Sequence, residues 1–131
     1  MNEVLDFLTA NKIFYLATTA GEQPHVRPLG FVMNYEGRLI FCTSNEKNMY
    51  QQLKANSNVE ICCVDAGYNT LRVSGKAVFC TSEDSQRKAL EVMPSLKRLY
   101  AVGDGKFELF YLESAQAVCQ SMAGEKRVLP L

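Results

Sequence analysis

The sequence carries one histidine, no net charge and no cysteine pair spaced for a metal or a redox site, and each shortage removes a class of function. With His25 as the sole imidazole, a Cys-His or Ser-His-Asp arrangement would have to be built around that one residue. One histidine without clustered Cys or Asp supplies neither a tetrahedral nor an octahedral ligand set, so no metal centre is expected from a single chain. The five cysteines, Cys42, Cys62, Cys63, Cys80 and Cys119, are odd in number and contain no C-x-x-C, so they do not make a disulfide framework. Each lies in an apolar, strand-like run where a reduced thiol behaves as a small hydrophobe, and a reducing cytoplasm is the expected compartment. Lys plus Arg and Asp plus Glu number 14 each, so no overall basic field recruits nucleic acid and any anion site has to be local. No apolar run reaches membrane-spanning length, and the opening MNEVLDFLTANK is acidic where a signal peptide is basic. No Walker or Rossmann glycine pattern occurs, which excludes those two phosphate loops.

What remains is an ordinary globular composition, 47% apolar and 21% charged, and 131 residues suffice for one core but not for two. Residues 1–131 therefore read as a single domain. Asn2 is placed to cap a short helix whose Val4, Leu5 and Leu8 share a face before Asn11. Ile13 to Thr19 (IFYLATT) reads as a strand that stops at Ala20-Gly21-Glu22. Asn56-Ser57-Asn58 interrupts a helix ending near Ala55, and Val59 to Val64 (VEICCV) reads as a buried strand. Leu71 to Cys80 (LRVSGKAVFC) is a long strand with a bulge or bend at Ser74-Gly75, a device that lets a sheet curl into a barrel. Thr81 and Asp84 stand at capping-box spacing for a helix carrying Ala89, Leu90 and Met93 until Pro94, with a shorter turn through Leu96 and Leu99. Lys106 to Glu113 and Ala115 to Ser121 read as two final strands. On the first of these, Phe110 falls on the face of Lys106 and Glu108 and suggests an exposed partner surface.

The stretch from Gln23 to Gln52 holds the candidate chemistry. Pro24 and Pro28 lack backbone donors, so a strand from His25 to Asn34 has to start at an edge or a bulge. His25 and Arg27 share a face of it at i, i+2. The same alternation admits His25 as a catalytic group or as a surface residue near a turn. Tyr35-Glu36-Gly37 makes a hairpin connection, and Arg38 to Cys42 returns as the antiparallel partner. Thr43, Ser44 and Asn45 end that strand, and Ser44 or Asn45 caps a helix with Met49 and Leu53 on one face. The connectivity alone brings Arg27, Thr43, Ser44 and Lys47 near one strand end. A guanidinium fork, a point charge, two hydroxyls and a helix start make an anion clamp there.

The order of IFYLATT, a G-x-x-P-x-x-R-P-L segment, LIFCTSNEKN, QLKANSNVEI and LRVSGKAVF resembles the pyridoxamine 5'-phosphate oxidase-like FMN-binding split-barrel superfamily over nearly the whole chain. The resemblance implies a mainly β (α+β) fold: a six-stranded antiparallel split β-barrel with short peripheral helices. It implies a homodimer with FMN at the subunit interface. Matched by position, Arg27, Pro28, Leu29 and Gly30 fall on the strand that lines the flavin. Phe41, Cys42 and Thr43 fall beneath the isoalloxazine and ribityl groups, and Ser44, Lys47 and Asn48 fall on the phosphate-binding turn and helix start. Where many relatives carry a Ser-Arg-Lys run, this chain has Lys47-Asn48-Met49, with one cation. The C-terminal substrate arginines of full-length pyridoxamine phosphate oxidases are not found, so vitamin B6 oxidation is not implied. The function expected on this resemblance is an FMN-dependent oxidoreductase acting on an unidentified small molecule. The alternatives are a non-catalytic flavin- or haem-binding or storage module, or a reductase using the deazaflavin F420 on the same fold.

Overall fold

The computed structural model describes all 131 residues. Helix α1 (Asn2–Asn11) leads into β1 (Phe14–Ala20), β2 (Gln23–Leu29), β3 (Met33–Tyr35) and β4 (Arg38–Ser44). Helix α2 (Asn48–Ala55) then precedes β5 (Asn58–Val64) and β6 (Thr70–Phe79). Helix α3 (Glu83–Val92) and a 3-10 turn (Pro94–Arg98) come before β7 (Phe107–Gln120) and β8 (Lys126–Leu129). The order in the sheet is β2-β1-β5-β6-β7-β4-β3, with β8 added to β7 and every pairing antiparallel. Six strands of seven to fourteen residues make the curled sheet, and β3 and β8 are short additions. The sheet does not close, so the fold is the split barrel that the sequence resembles. No helix is long and apolar enough to cross a membrane.

The curl originates where expected, with the extra residue on the other strand. Ser74 pairs with Gln116 and Lys76 with Glu113, so Gly75 alone faces both Ser114 and Ala115. Ser114 takes the left-handed conformation, φ 52°, that such a bulge demands. A Cβ on Gly75 would lie 3.0 Å from Leu112 Cβ and 3.1 Å from the Glu113 carbonyl, so any other residue would have to push β7 back by a few tenths of an ångström. The bulge bends one continuous β7, and the expected break into two strands at Ser114 does not occur. On its other edge β7 pairs with β4 over Phe107–Phe110 and with β8 over Ala117–Gln120. The stretch 111–116 between them has no partner there, and it forms the split.

The barrel interior holds Phe14, Leu16, Phe41, Ile61, Leu71, Val73 and Phe110, capped by Val4 and Leu8 of α1 and by Met49 and Leu53 of α2. A second cluster packs Ala89 and Leu90 of α3 and Tyr100 against Phe31, Met33, Ile40, Phe107 and Leu109. Strands β4 and β7 are thus covered on both faces. This corrects the expectation for Phe110, which is fully buried with its ring 5.7 Å from Phe41 and 5.8 Å from Phe79. Alternation assigned it to the face of Lys106 and Glu108, and that face is the barrel interior; α3 covers the opposite one.

Local corrections follow the same logic of tertiary partners. The strand expected over His25 to Asn34 is two strands, since Gly30 to Val32 links β2 and β3, the two unpaired end strands of the sheet. Only β3 pairs with β4, through the Glu36-Gly37 turn with φ 53° and 79°; β2 pairs with β1. The cap of α1 is Met1 and not Asn2, and the capping box of α3 is Ser82 with Ser85, one residue on from Thr81. The tail pairs as β8. Given the burial of Phe110, Phe110→Ala should cost about 3–5 kcal/mol in urea unfolding; a loss below about 1 kcal/mol would return the ring to the surface.

Candidate functional site

The curl brings β2 and β4 to face each other across the start of α2, and they enclose a recess of about 410 Å³. Seven of the ten expected residues line it: Arg27, Pro28 and Leu29 from β2, Cys42 and Thr43 from β4, and Lys47 and Asn48 at the helix start. His25 joins them from the face it shares with Arg27. Three expected residues stand apart. Phe41 belongs to the barrel core at 1% exposure. The Ser44 hydroxyl is spent on the turn, accepting from the Glu46 amide at 3.2 Å. Gly30 lies exposed just beyond β2, with the Lys12 carbonyl 3.7 Å from where its Cβ would stand.

Helix α2 begins two or three residues later than expected, because Ser44 and Asn45 enter a turn closed by the Lys47 amide on the Ser44 carbonyl at 3.0 Å. Lys47 itself is the N-cap, extended and without a side-chain hydrogen bond to the first turn. The leading amides of α2 therefore have no side-chain acceptor, and the positive end of the helix dipole lies beside the recess that Lys47, Asn48 and Met49 line.

Arg27 is held from three sides. Its Nη1 donates to the Leu16 carbonyl at 3.2 Å and to Thr18 Oγ1 at 2.8 Å, and its Nη2 donates to Gln52 Oε1 at 2.6 Å. Thr18 Oγ1 donates in turn to the same Gln52 oxygen at 2.5 Å. These acceptors are all neutral. The ion pairs of the fold are Arg72 with Glu60, Arg87 with Asp84 and Arg127 with Glu3, so neither Arg27 nor Lys47 has a carboxylate partner. Burial pulls the Arg27 pKa below its ordinary value, yet a guanidinium stays charged at any working pH. Its five N–H donors include two that the protein does not engage. A half-buried cation with free donors and no counter-ion is an open position for an anion.

Two neighbouring groups on β4 complete the wall. Thr43 Oγ1 is buried without any hydrogen-bond partner, the one such side-chain atom in the protein. Buried hydroxyls are nearly always satisfied, so this one marks a place where a partner is missing. Burial pushes the Cys42 thiol up to about 12, against a smaller opposing pull from Lys47, so it is a protonated, neutral wall group and not a nucleophile.

Gln52 and Thr18 are the residues that sequence reasoning missed. Gln52 stands one turn beyond Asn48 at i, i+4, which puts it on the face that carries the helix start. That spacing was readable; the approach of β1 was not. A second recess, about 290 Å³, opens at the split beside Tyr111 and Leu112. It is mainly apolar, and its one guanidinium, that of Arg38, lies 4.2 Å over the Tyr111 ring.

The split barrel brings the open edge strand β2, strand β4 and the start of α2 together around one recess. The profile of the pyridoxamine 5'-phosphate oxidase family matches residues 1–117, and the chain belongs to that family. It is 36% identical to a NimC/NimA family protein from Clostridium acetobutylicum, over all of this chain and 92% of that one, with a TM-score of 0.95. The fold is shared with a pyridoxamine 5'-phosphate oxidase-related, FMN binding protein from Nostoc punctiforme (14% identity, 99% and 96% of the two chains, TM-score 0.62). It is shared as well with a heme binding protein from Mycobacterium smegmatis (16% identity, 94% of this chain and 55% of that one, TM-score 0.73). No curated protein matches the sequence.

Two outcomes test this wall. Thr43→Val removes an unsatisfied hydroxyl, so it should raise ligand-free stability by about 1 kcal/mol in urea unfolding; a loss of that size would mean the hydroxyl is satisfied. Because the folded Cys42 thiol titrates far above its ordinary 9.0, its contribution is complete below pH 9.0 and is lost as pH rises toward about 12. Wild type should therefore lose more stability than Cys42→Ala between pH 8 and about 10.5.

Proposed function

We propose that the recess binds FMN by its phosphate, that a second copy of the chain covers it in a homodimer, and that the protein is an oxidoreductase acting on a small molecule. The observation that carries this reading is the uncompensated Arg27 beside the uncapped start of α2. Arg27 offers its free donors, Lys47 a mobile point charge, and the leading amides of α2 a fixed dipole; together these suit a phosphate dianion. Thr43 supplies a hydroxyl without a partner at the next position along the wall. When bound, flavin supplies the redox chemistry, and the protein sets orientation and electrostatics.

The edge of β2 suits a flat, hydrogen-bonding ring. Pro24 and Pro28 lack donors, and Val26, which shares their parity, is left with the outward N–H between them. No hydrogen bond within the chain engages the backbone of Gly30, Phe31 or Val32, although Phe31 and Val32 are only 4% and 8% exposed. Such groups are normally paired. They lie where β2 leaves the recess, and a ligand or a second subunit would satisfy them.

For the second copy, the outer sheet face provides a row in register: Pro28, Tyr15, Cys62, Arg72, Val118 and Val128. Tyr15 is 47% exposed and Val128 69%. The row begins at Pro28, which also lines the recess, so a subunit laid on it reaches the site. All five cysteines are free, a state that a reducing cytoplasm preserves.

A second reading keeps the recess and exchanges its occupant. His25 lines it, and a haem held there without turnover would take that imidazole as an iron ligand. The absorbance spectrum separates the readings. Flavin binding should give a yellow protein whose colour is bleached by NADH or NADPH and restored by air. Arg27→Ala and Lys47→Ala should each weaken FMN at least about tenfold with unchanged far-UV circular dichroism. Wild type that refuses FMN in titration would sink the flavin reading, and a monomer in sedimentation would remove the shared site.

A further inference from the structure

We propose that Gln52 sets the charge preference of the recess: its neutral amide holds Arg27 in place without neutralising it, so that the site selects a phosphate monoester over the uncharged form of the same ligand. The inference rests on the reading of the recess as the flavin site and names the residue that makes that site select for phosphate.

The geometry assigns the two ends of the Gln52 amide different tasks. Its oxygen faces inward and accepts from Arg27 at 2.6 Å and from Thr18 at 2.5 Å. That oxygen is the only acceptor of Arg27 Nη2, and it ties α2 to β1 and β2 at a single point. With the oxygen so engaged, the amide nitrogen points the other way. It has no hydrogen-bond partner in the chain and is not among the buried unsatisfied atoms, and Gln52 lines the recess. A ligand therefore meets an N–H donor backed by a whole positive charge.

A carboxylate in this position would be the ordinary way to hold a half-buried arginine. It would also spoil the site twice. One oxygen would pair with Arg27 and cancel its charge, and the other would replace the outward donor with a negative acceptor. Both changes act against a phosphate, while an uncharged ligand is insensitive to the first and loses at most one hydrogen bond to the second. Glutamine has the length and planarity of glutamate, so the two differ in charge and in the outward donor and not in shape.

The test compares FMN with riboflavin, which differ by the phosphate, in wild type, Gln52→Glu and Gln52→Met. In wild type FMN should bind more tightly than riboflavin. In Gln52→Glu the FMN-to-riboflavin preference should collapse by at least about tenfold, with a Tm at or above wild type from the new Arg27 ion pair. Gln52→Met leaves the Arg27 charge uncancelled, so both ligands should weaken while their ratio stays within about threefold. A merely structural Gln52 would weaken both ligands equally in both variants, and that result overturns the inference while leaving the flavin reading intact. A Tm of Gln52→Glu below wild type would show that the ion pair does not form and would overturn it too. If wild type binds neither flavin, the flavin reading falls and inorganic pyrophosphate decides. A thermal shift present in wild type and lost in Gln52→Glu keeps the charge role, and no shift, or an equal one in both, ends it.

Discussion

The bend in β7 is the constraint on which the rest of the molecule depends. A single glycine, Gly75, faces two residues of β7, and a side chain at that crossing would crowd Leu112 and the Glu113 carbonyl. The bend curls an open sheet in which β2 stands at one end and β4 is next to the other. In a flat sheet four strands would separate them. Curling carries the first edge around to the sixth strand, and the recess between β2, β4 and α2 exists only because of it. The pairing of β7 first with β4 and then with β8 leaves a gap at 111–116 that splits the barrel wall, and the end strands β2 and β3 do not pair, so the sheet stays open.

The recess breaks rules that the rest of the protein keeps. The other cations close to acidic groups form exposed ion pairs, the cysteines are free, and buried polar groups elsewhere find partners. At the recess an arginine is half-buried without a counter-ion, a hydroxyl is buried without a partner, a helix starts without a side-chain cap, and three linker residues leave their backbone unpaired. Each of these costs free energy in the empty protein. Their concentration in one place is the pattern expected where a fold gives up stability for binding. The network of Thr18, Arg27 and Gln52 holds the cation in place despite that cost.

The recess brings together seven of the ten site residues that the resemblance implies, and the other three stand apart from it for separate reasons. Phe41 alternates into the barrel, Ser44 is consumed by its own turn, and Gly30 lies past the strand end. Gln52 was overlooked because its importance comes from Thr18 and Arg27, residues 34 and 25 positions away along the chain. Phe110 was misplaced for a related reason. Alternation says which residues share a face, and only the packed barrel says which face is inside.

By itself the sequence determined what is local: strands rich in β-branched and aromatic residues, the Glu36-Gly37 turn, the stop at Pro94, and the bend at Ser74-Gly75. These follow from backbone sterics and side-chain shape within a few residues. Tertiary structure alone decided that β2 pairs with β1 and not β4, that β7 runs unbroken through its bulge, and that Arg27 meets a neutral amide from α2. Strand partners and the charge environment of a side chain are set by groups distant in sequence, and those meet only when the sheet has curled and buried its core.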